Sequence, residues 1–98
     1  MKGYVEARYE VENLRRFLDE FNAAKDLLSR FGFTRSWLHR DADNDSVVIV
    51  MHEAEDLDKA RQFYKSDEFQ QCRRKVGVGQ PKLTFMNRLV PAPESAQV

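Results

Sequence analysis

The chain has a single cysteine, Cys72, so an intrachain disulfide is excluded and a reducing, cytoplasmic setting is expected. It has no excess charge of either sign, because sixteen Lys and Arg are cancelled by sixteen Asp and Glu. That balance supplies no field for nucleic acid or an anionic membrane, and neither partner is expected. Long hydrophobic runs are missing as well, so no membrane-spanning helix and no signal-peptide core are expected. Glycine is scarce, and Gly77-Val78-Gly79 lacks the spacing and the following helix of a nucleotide fingerprint. No phosphate-binding P-loop occurs, and the third predicted strand lacks the basic-Gly-aromatic signature of RNA-binding modules with a similar layout.

What is present is a sequence of hydrophobic rhythms. Tyr4 to Val11 alternates, with Val5, Ala7, Tyr9 and Val11 on one face and Tyr4, Glu6, Arg8 and Glu10 on the other. Asn13 is a suitable N-cap for a helix carrying Leu14, Phe17, Leu18, Phe21, Ala24, Leu28 and Phe31, which Gly32 ends. Phe33 to Arg40 and Val47 to His52 read as a hairpin joined by the polar turn Asp41–Ser46. The three aspartates of that turn lack the glycine and distant glutamate of an EF-hand loop. A second helical region spans Asp56 to Lys75, with a fresh N-cap at Ser66, and Lys82 to Val90 closes as a strand. The order β-α-β-β-α-β predicts one ferredoxin-like α+β domain over 1–90, with both helical regions on one face of a four-stranded antiparallel sheet and a flexible Pro/Ser/Ala tail at 91–98.

One sheet face is then left bare. A regular hairpin pairing Arg40 with Val47 predicts that this face gathers Tyr4, Glu6, Arg8, Arg35, Trp37, His39, Val48, Val50, His52, Thr84 and Met86. Aromatic and aliphatic walls with a few polar heads suit a small-molecule pocket, and the same mixture suits an interface between two subunits. Tyr4, Glu6, Arg35, Trp37, Val50, His52 and Met86 are the expected substrate-binding residues. His39 is the candidate general base at neutral pH, with Arg8 as the other polar head. Glu6 and Arg8, two apart on one face, are placed to form an ion pair. His39 and His52 stand about 13 Å apart at the strand rise, too far to share one metal ion within a subunit. No metal or cofactor is expected, and Cys72 reads as a small core residue.

Several of these stretches carry a family resemblance. Arg40-Asp41-Ala42-Asp43 leads into Val47-Val48-Ile49-Val50; Asp56-Leu57-Asp58-Lys59-Ala60-Arg61-Gln62-Phe63 and Ser66 with Glu68-Phe69 follow; Gly77-Val78-Gly79-Gln80-Pro81 precedes the closing strand. From Tyr4 to about Val90 the chain resembles the antibiotic biosynthesis monooxygenase-like superfamily of dimeric α/β barrels, in particular its small cyclase-like branch. The resemblance implies a homodimer whose two sheets close into a barrel, with a cavity between sheet and helices in each subunit. It also implies relatives that include cofactor-independent monooxygenases, haem-degrading enzymes and lactone isomerases. The histidine that the haem-degrading branch carries on its second helix has no counterpart here, since residues 54–76 contain none. A matching Asn–Trp–Tyr set is not evident either.

Two functional classes follow. The first is an enzyme-like protein acting without a metal on a small, flat, partly apolar molecule, as a monooxygenase or as a cyclase or isomerase. The second is a non-catalytic dimeric module that binds a ligand or a partner.

Overall fold

The computed structural model describes residues 2–88, so the expected tail and the last two residues of the predicted closing strand lie outside the described residues. In chain order the elements are β1 (Gly3–Glu10), α1 (Leu14–Ala23), α2 (Lys25–Arg30), β2 (Phe33–Asp41), β3 (Asn44–Ala54), α3 (Leu57–Lys65), α4 (Asp67–Val76) and β4 (Lys82–Asn87). The strands form one antiparallel sheet in the order β2-β3-β1-β4, with β2 and β4 at the edges. This is the ferredoxin-like α+β arrangement that the rhythms predict.

The helix boundaries follow from local chemistry. Asn13 accepts a hydrogen bond from the Arg16 N–H at 3.0 Å, which caps α1. The single first helix that was expected is instead two, because the Ala24 N–H is shared between the Glu20 and Phe21 carbonyls and the turn tightens there. Gly32, at φ 83°, ends α2 in the left-handed region. Ser66 separates α3 from α4, accepting from the Phe69 N–H at 3.1 Å, and Gly77 closes α4 at φ 79°.

The alternating residues Val5, Ala7 and Tyr9 of β1 are buried beneath the helices with Val48, Val50, Ala54, Phe17, Phe63 and Phe69. Rings interlock through this layer: Phe63 lies within 5.3 Å of the ring centres of Phe31, Phe33, Tyr64 and Phe69.

The hairpin register departs from expectation. Arg40 pairs with Val48, not Val47, and so Leu38 faces Val50, Trp37 faces Met51, Ser36 faces His52 and Arg35 faces Glu53. β3 begins at Asn44, three residues earlier than expected. Its Asp41–Asn44 pair is followed by three residues, Asp45 to Val47, that oppose none on β2. The Asn44 side chain curls this bulge by accepting from the Ser46 N–H at 3.1 Å and the Ser46 hydroxyl at 2.7 Å. The slip amounts to one residue and exchanges the two faces of β3. Val48, Val50 and His52 therefore point to the helices. Ile49, Met51 and Glu53 take the bare face, a correction to the predicted set. On β2 and β4 the expected parity holds.

Candidate functional site: the cavity between sheet and helices

A small, half-open pocket lies between sheet and helices. Its floor is Tyr9 of β1 with Val50 and His52 of β3; Phe17, Glu20 and Phe21 of α1 and Phe63 of α3 wall it; Phe69, Cys72 and Arg73 of α4 and Val78 complete it. β-alternation puts Tyr9 upward, the bulge after Asn44 turns Val50 and His52 to the same side, the 3.6-residue period brings Phe17, Glu20 and Phe21 to one side of α1, and the Ser66 cap restarts the helix so that Phe69 and Cys72 face inward.

His52 is the one charged-type side chain buried in the core of the described residues, at 3% exposure. Its Nδ1 lies 2.6 Å from the Ser36 hydroxyl across the β2–β3 pair. Phe33 covers one side at 4.5 Å between ring centres, and Phe21 lies nearly parallel at 6.3 Å. Burial disfavours the imidazolium and lowers the pKa of His52 to about 4, so the ring is neutral at physiological pH. Burial likewise raises the pKa values of the Tyr9 and Tyr64 phenols, and each then keeps its proton as a donor. The Tyr64 hydroxyl is the buried side-chain polar atom left without a partner among the described residues. Burial, then the nearby Glu20 carboxylate, raise the Cys72 thiol, with Lys75 opposing, so the thiol is not activated as a nucleophile.

The bare face is organised differently. Trp37 is half-buried, with the Arg35 guanidinium 4.7 Å from its ring centre. Beside it on the same face are Met51 and Ile49 of β3, then Tyr4, Glu6 and Arg8 of β1, then Met86 of β4. His39 is exposed, opposite Ile49. The expected Glu6–Arg8 pair is replaced: Arg8 Nη2 meets Asp41 Oδ2 at 2.7 Å. The Asp41 carboxyl sits below its ordinary range because the Asp43 N–H and then Arg8 bond to it. At the opposite end Arg88 donates to the Tyr4 hydroxyl at 2.7 Å.

Of the residues predicted for one pocket, the structure keeps Tyr4, Glu6, Arg8, Arg35, Trp37, His39 and Met86 together on the bare face. It moves Val50 and His52 through the sheet into the cavity. The two histidines therefore stand on opposite faces, and no cluster of three or more His, Cys, Asp or Glu able to hold a metal occurs among the described residues. Sequence reasoning assigned the cavity residues Tyr9, Phe17, Phe21 and Phe69 to core.

The chain matches no protein-family model and no curated protein sequence. Its fold matches solved structures. One, from Bordetella bronchiseptica and provisionally described as an antibiotic biosynthesis monooxygenase, is 22% identical, with a TM-score of 0.74 over 91% of this chain and 98% of that one. SnoaB from Streptomyces nogalater, a cofactor-independent oxygenase, is 18% identical, with a TM-score of 0.74 over 94% of this chain and 97% of that one. A Caulobacter crescentus protein with the same provisional description as the first is 17% identical, with a TM-score of 0.71 over 91% of each chain. The chain thus shares the fold of these solved structures. No helix among the described residues is long and apolar enough to cross a membrane.

Proposed function

We propose that this chain is one subunit of a homodimeric, enzyme-like protein that takes a small, flat, partly apolar molecule into the cavity between sheet and helices. The observation that carries the reading is the cavity itself: a ring-lined space closed on the sheet side, with one buried, neutral imidazole in its floor. Enclosed apolar space with a few convergent polar groups is what ligand sites have in common. The likeness of fold to a cofactor-independent oxygenase favours chemistry run on the substrate's own reactivity, oxygenation first and isomerisation or cyclisation second. In that reading the protein supplies enclosure, orientation and a proton acceptor, and no metal or cofactor takes part.

The dimer rests on the bare face. Trp37, Ile49, Met51, Tyr4 and Met86 expose apolar surface that a second sheet would cover, and charges of both signs surround it. His39 and Arg8 then lie at the seam between subunits. A ligand held there, with His39 as the base, is the competing assignment, and a non-catalytic binding module is the alternative class.

Mass measured in solution tests the dimer. Native mass spectrometry of freshly purified protein tests for a retained small molecule. With a ligand in hand, His39→Gln and His52→Gln separate the assignments. Turnover lost only in His52→Gln supports the cavity, and turnover lost only in His39→Gln overturns it. Binding unchanged in both, with no turnover in the wild type, leaves the module reading.

A further inference from the structure

The pocket has two charged residues in its lining, Glu20 of α1 and Arg73 of α4. Their charges are met differently. Glu20 has a counter-charge, since Lys75 Nζ lies 3.9 Å from its Oε1. Arg73 has none: its Nε donates to Gln70 Oε1 at 3.0 Å and its Nη1 to the Val78 carbonyl at 2.9 Å, and both acceptors are neutral. Among the described residues no carboxylate lies within ion-pair distance of Arg73, and no acceptor takes the hydrogens of Nη2.

The guanidinium is nonetheless held in place. Gln70 Nε2 donates to the Tyr64 carbonyl at 3.2 Å, and Gln70 Oε1 accepts from Gln80 Nε2 at 2.9 Å as well as from Arg73. A long side chain fixed by two bonds has given up much of its rotamer freedom before any ligand arrives, so less is lost on binding. The helix end explains only part of this. The carbonyl end of α4 favours cations in its last turn, and Arg74 and Lys75 meet that need from exposed positions. Arg73 is the one of the three that lines the pocket, half-buried against apolar residues where a charge without a partner is least favourable. With Lys75 set against Glu20 and His52 neutral, the lining carries one uncompensated positive charge. One carboxylate would balance it and accept a charge-assisted hydrogen bond from Nη2.

We infer that Arg73 is the specificity-determining residue of this pocket and receives the ionised carboxylate of an otherwise apolar ligand. This rests on the cavity reading above and adds the sign of the ligand's charge and the residue that selects it.

Benzoate, benzamide and benzamidine have nearly one shape and carry negative, zero and positive charge. Each is titrated at neutral pH into the full chain labelled with nitrogen-15. Benzoate should bind about tenfold tighter than benzamide and move the Arg73 Nε–H resonance, and benzamidine should bind most weakly. Added salt should narrow the gap between benzoate and benzamide, because the pocket is half-open to solvent. Phenyl phosphate, with nearly two charges, exceeds the single charge on offer and should bind no tighter than benzoate. Arg73→Gln offers a donor to the Val78 carbonyl without the charge, and benzoate and benzamide should then bind alike. Arg73→Lys keeps the charge and should keep most of the preference. An Arg73 that only braces the helix end would lower the unfolding midpoint in both variants and leave the preference untouched, which overturns the inference. Equal or tighter binding of benzamide or benzamidine to the wild type overturns it as well, and needs no variant to fold. Tighter binding of phenyl phosphate overturns the carboxylate. In each of these cases shifts at Val50 and Val78 would leave the cavity standing as the site. The underlying cavity reading fails, and the inference with it, if the probes perturb only Trp37 and His39 or if none binds at tens of millimolar.

Discussion

The two faces of this sheet are built from the same four strands, yet they are put together by different rules. Under the helices, Val5, Ala7, Val48 and Val50 are nearly sealed, and the imidazole buried among them, His52, is held neutral. On the bare face every strand contributes a charge beside its apolar residues or its neighbours: Arg35 beside Trp37, Glu53 beside Met51, Glu6 and Arg8 around Ile49, Lys82 opposite Arg8. The first face gains its stability within the chain through dispersion and desolvation. The second keeps its polar groups hydrated or paired, as Arg8 is with Asp41, and leaves apolar area uncovered within the subunit. Damage to the first face should therefore unfold the subunit, and damage to the second should change its association and little else.

The largest effect is expected at Phe63. Its ring touches four others and is 4% exposed. Phe63→Ala should cost about 3–5 kcal/mol by cavity formation, a large part of what a domain this size possesses. Chemical denaturation measures it. A cost under about 1 kcal/mol would mean that the helix-side layer is loosely packed and that the contrast between the faces is overstated.

Next comes acid. The folded imidazole of His52 resists protonation until about pH 4, whereas in the unfolded chain it takes a proton near 6.5. Between those values the unfolded state binds more protons, so stability falls as the pH drops from about 6.5 toward 4; above that window both states are neutral and the contribution vanishes. At about 1.36 kcal/mol per pH unit the loss is on the order of 3 kcal/mol. Unfolding midpoints at several pH values, compared between wild type and His52→Gln, isolate it from the carboxylates that titrate nearby. The variant should show the flatter curve, and parallel curves would place His52 in water.

How much of this could be read from residues alone depends on whether the signal was local. Asn13, Ser66, Gly32 and Gly77 act within one turn of themselves, and all four do what their types suggest. β1 alternates strictly, so its faces were unambiguous. β3 does not: Val47-Val48-Ile49-Val50-Met51 is apolar at every position, and either parity would bury a hydrophobic row. The deciding feature is a bulge with an odd number of residues, set by an asparagine side chain inside what reads as a loop. That one-residue difference in register is what puts His52 on the helix side rather than on the bare face. The cavity was hidden for another reason, since its walls come from six separate elements and a gap between packed rings leaves no mark on any one of them.

On the bare face the sharper test is Met51→Glu. Met51 lies between Trp37 and Glu6, and a second carboxylate there meets the like charge of Glu6 directly opposite. If two copies meet through this face, the substitution should weaken the dimer about tenfold or more, close to 1.4 kcal/mol, by burying unpaired charge at the seam. Sedimentation across a concentration series reads it. The monomer should stay folded, as surface changes away from packed positions usually alter stability by about 0.5 kcal/mol or less. An unchanged dimer would move the interface elsewhere, and an unfolded monomer would erase the distinction between the faces.

The smallest effect is expected at Asn44, and it asks what holds the two faces apart. Asn44→Ala removes the acceptor that gathers the Ser46 N–H and hydroxyl, two bonds at an exposed turn. The loss should be about 0.5–1.5 kcal/mol, because water replaces most of what is removed. The register should not follow. Sliding β3 by one residue would carry Glu53 beneath the helices and expose Val48, Val50 and Ala54, undoing more burial than the turn can offset. Single cysteines at positions 49 and 50, each in a Cys72→Ala background, report the outcome: the first should react readily with a thiol reagent when the protein is monomeric, and the second should stay protected with or without Asn44. Reversed reactivity in the Asn44→Ala chain would mean that the bulge alone decides which side of β3 is core. In that case the assignment of His52 to the cavity would hang on two hydrogen bonds rather than on the packed layer above it.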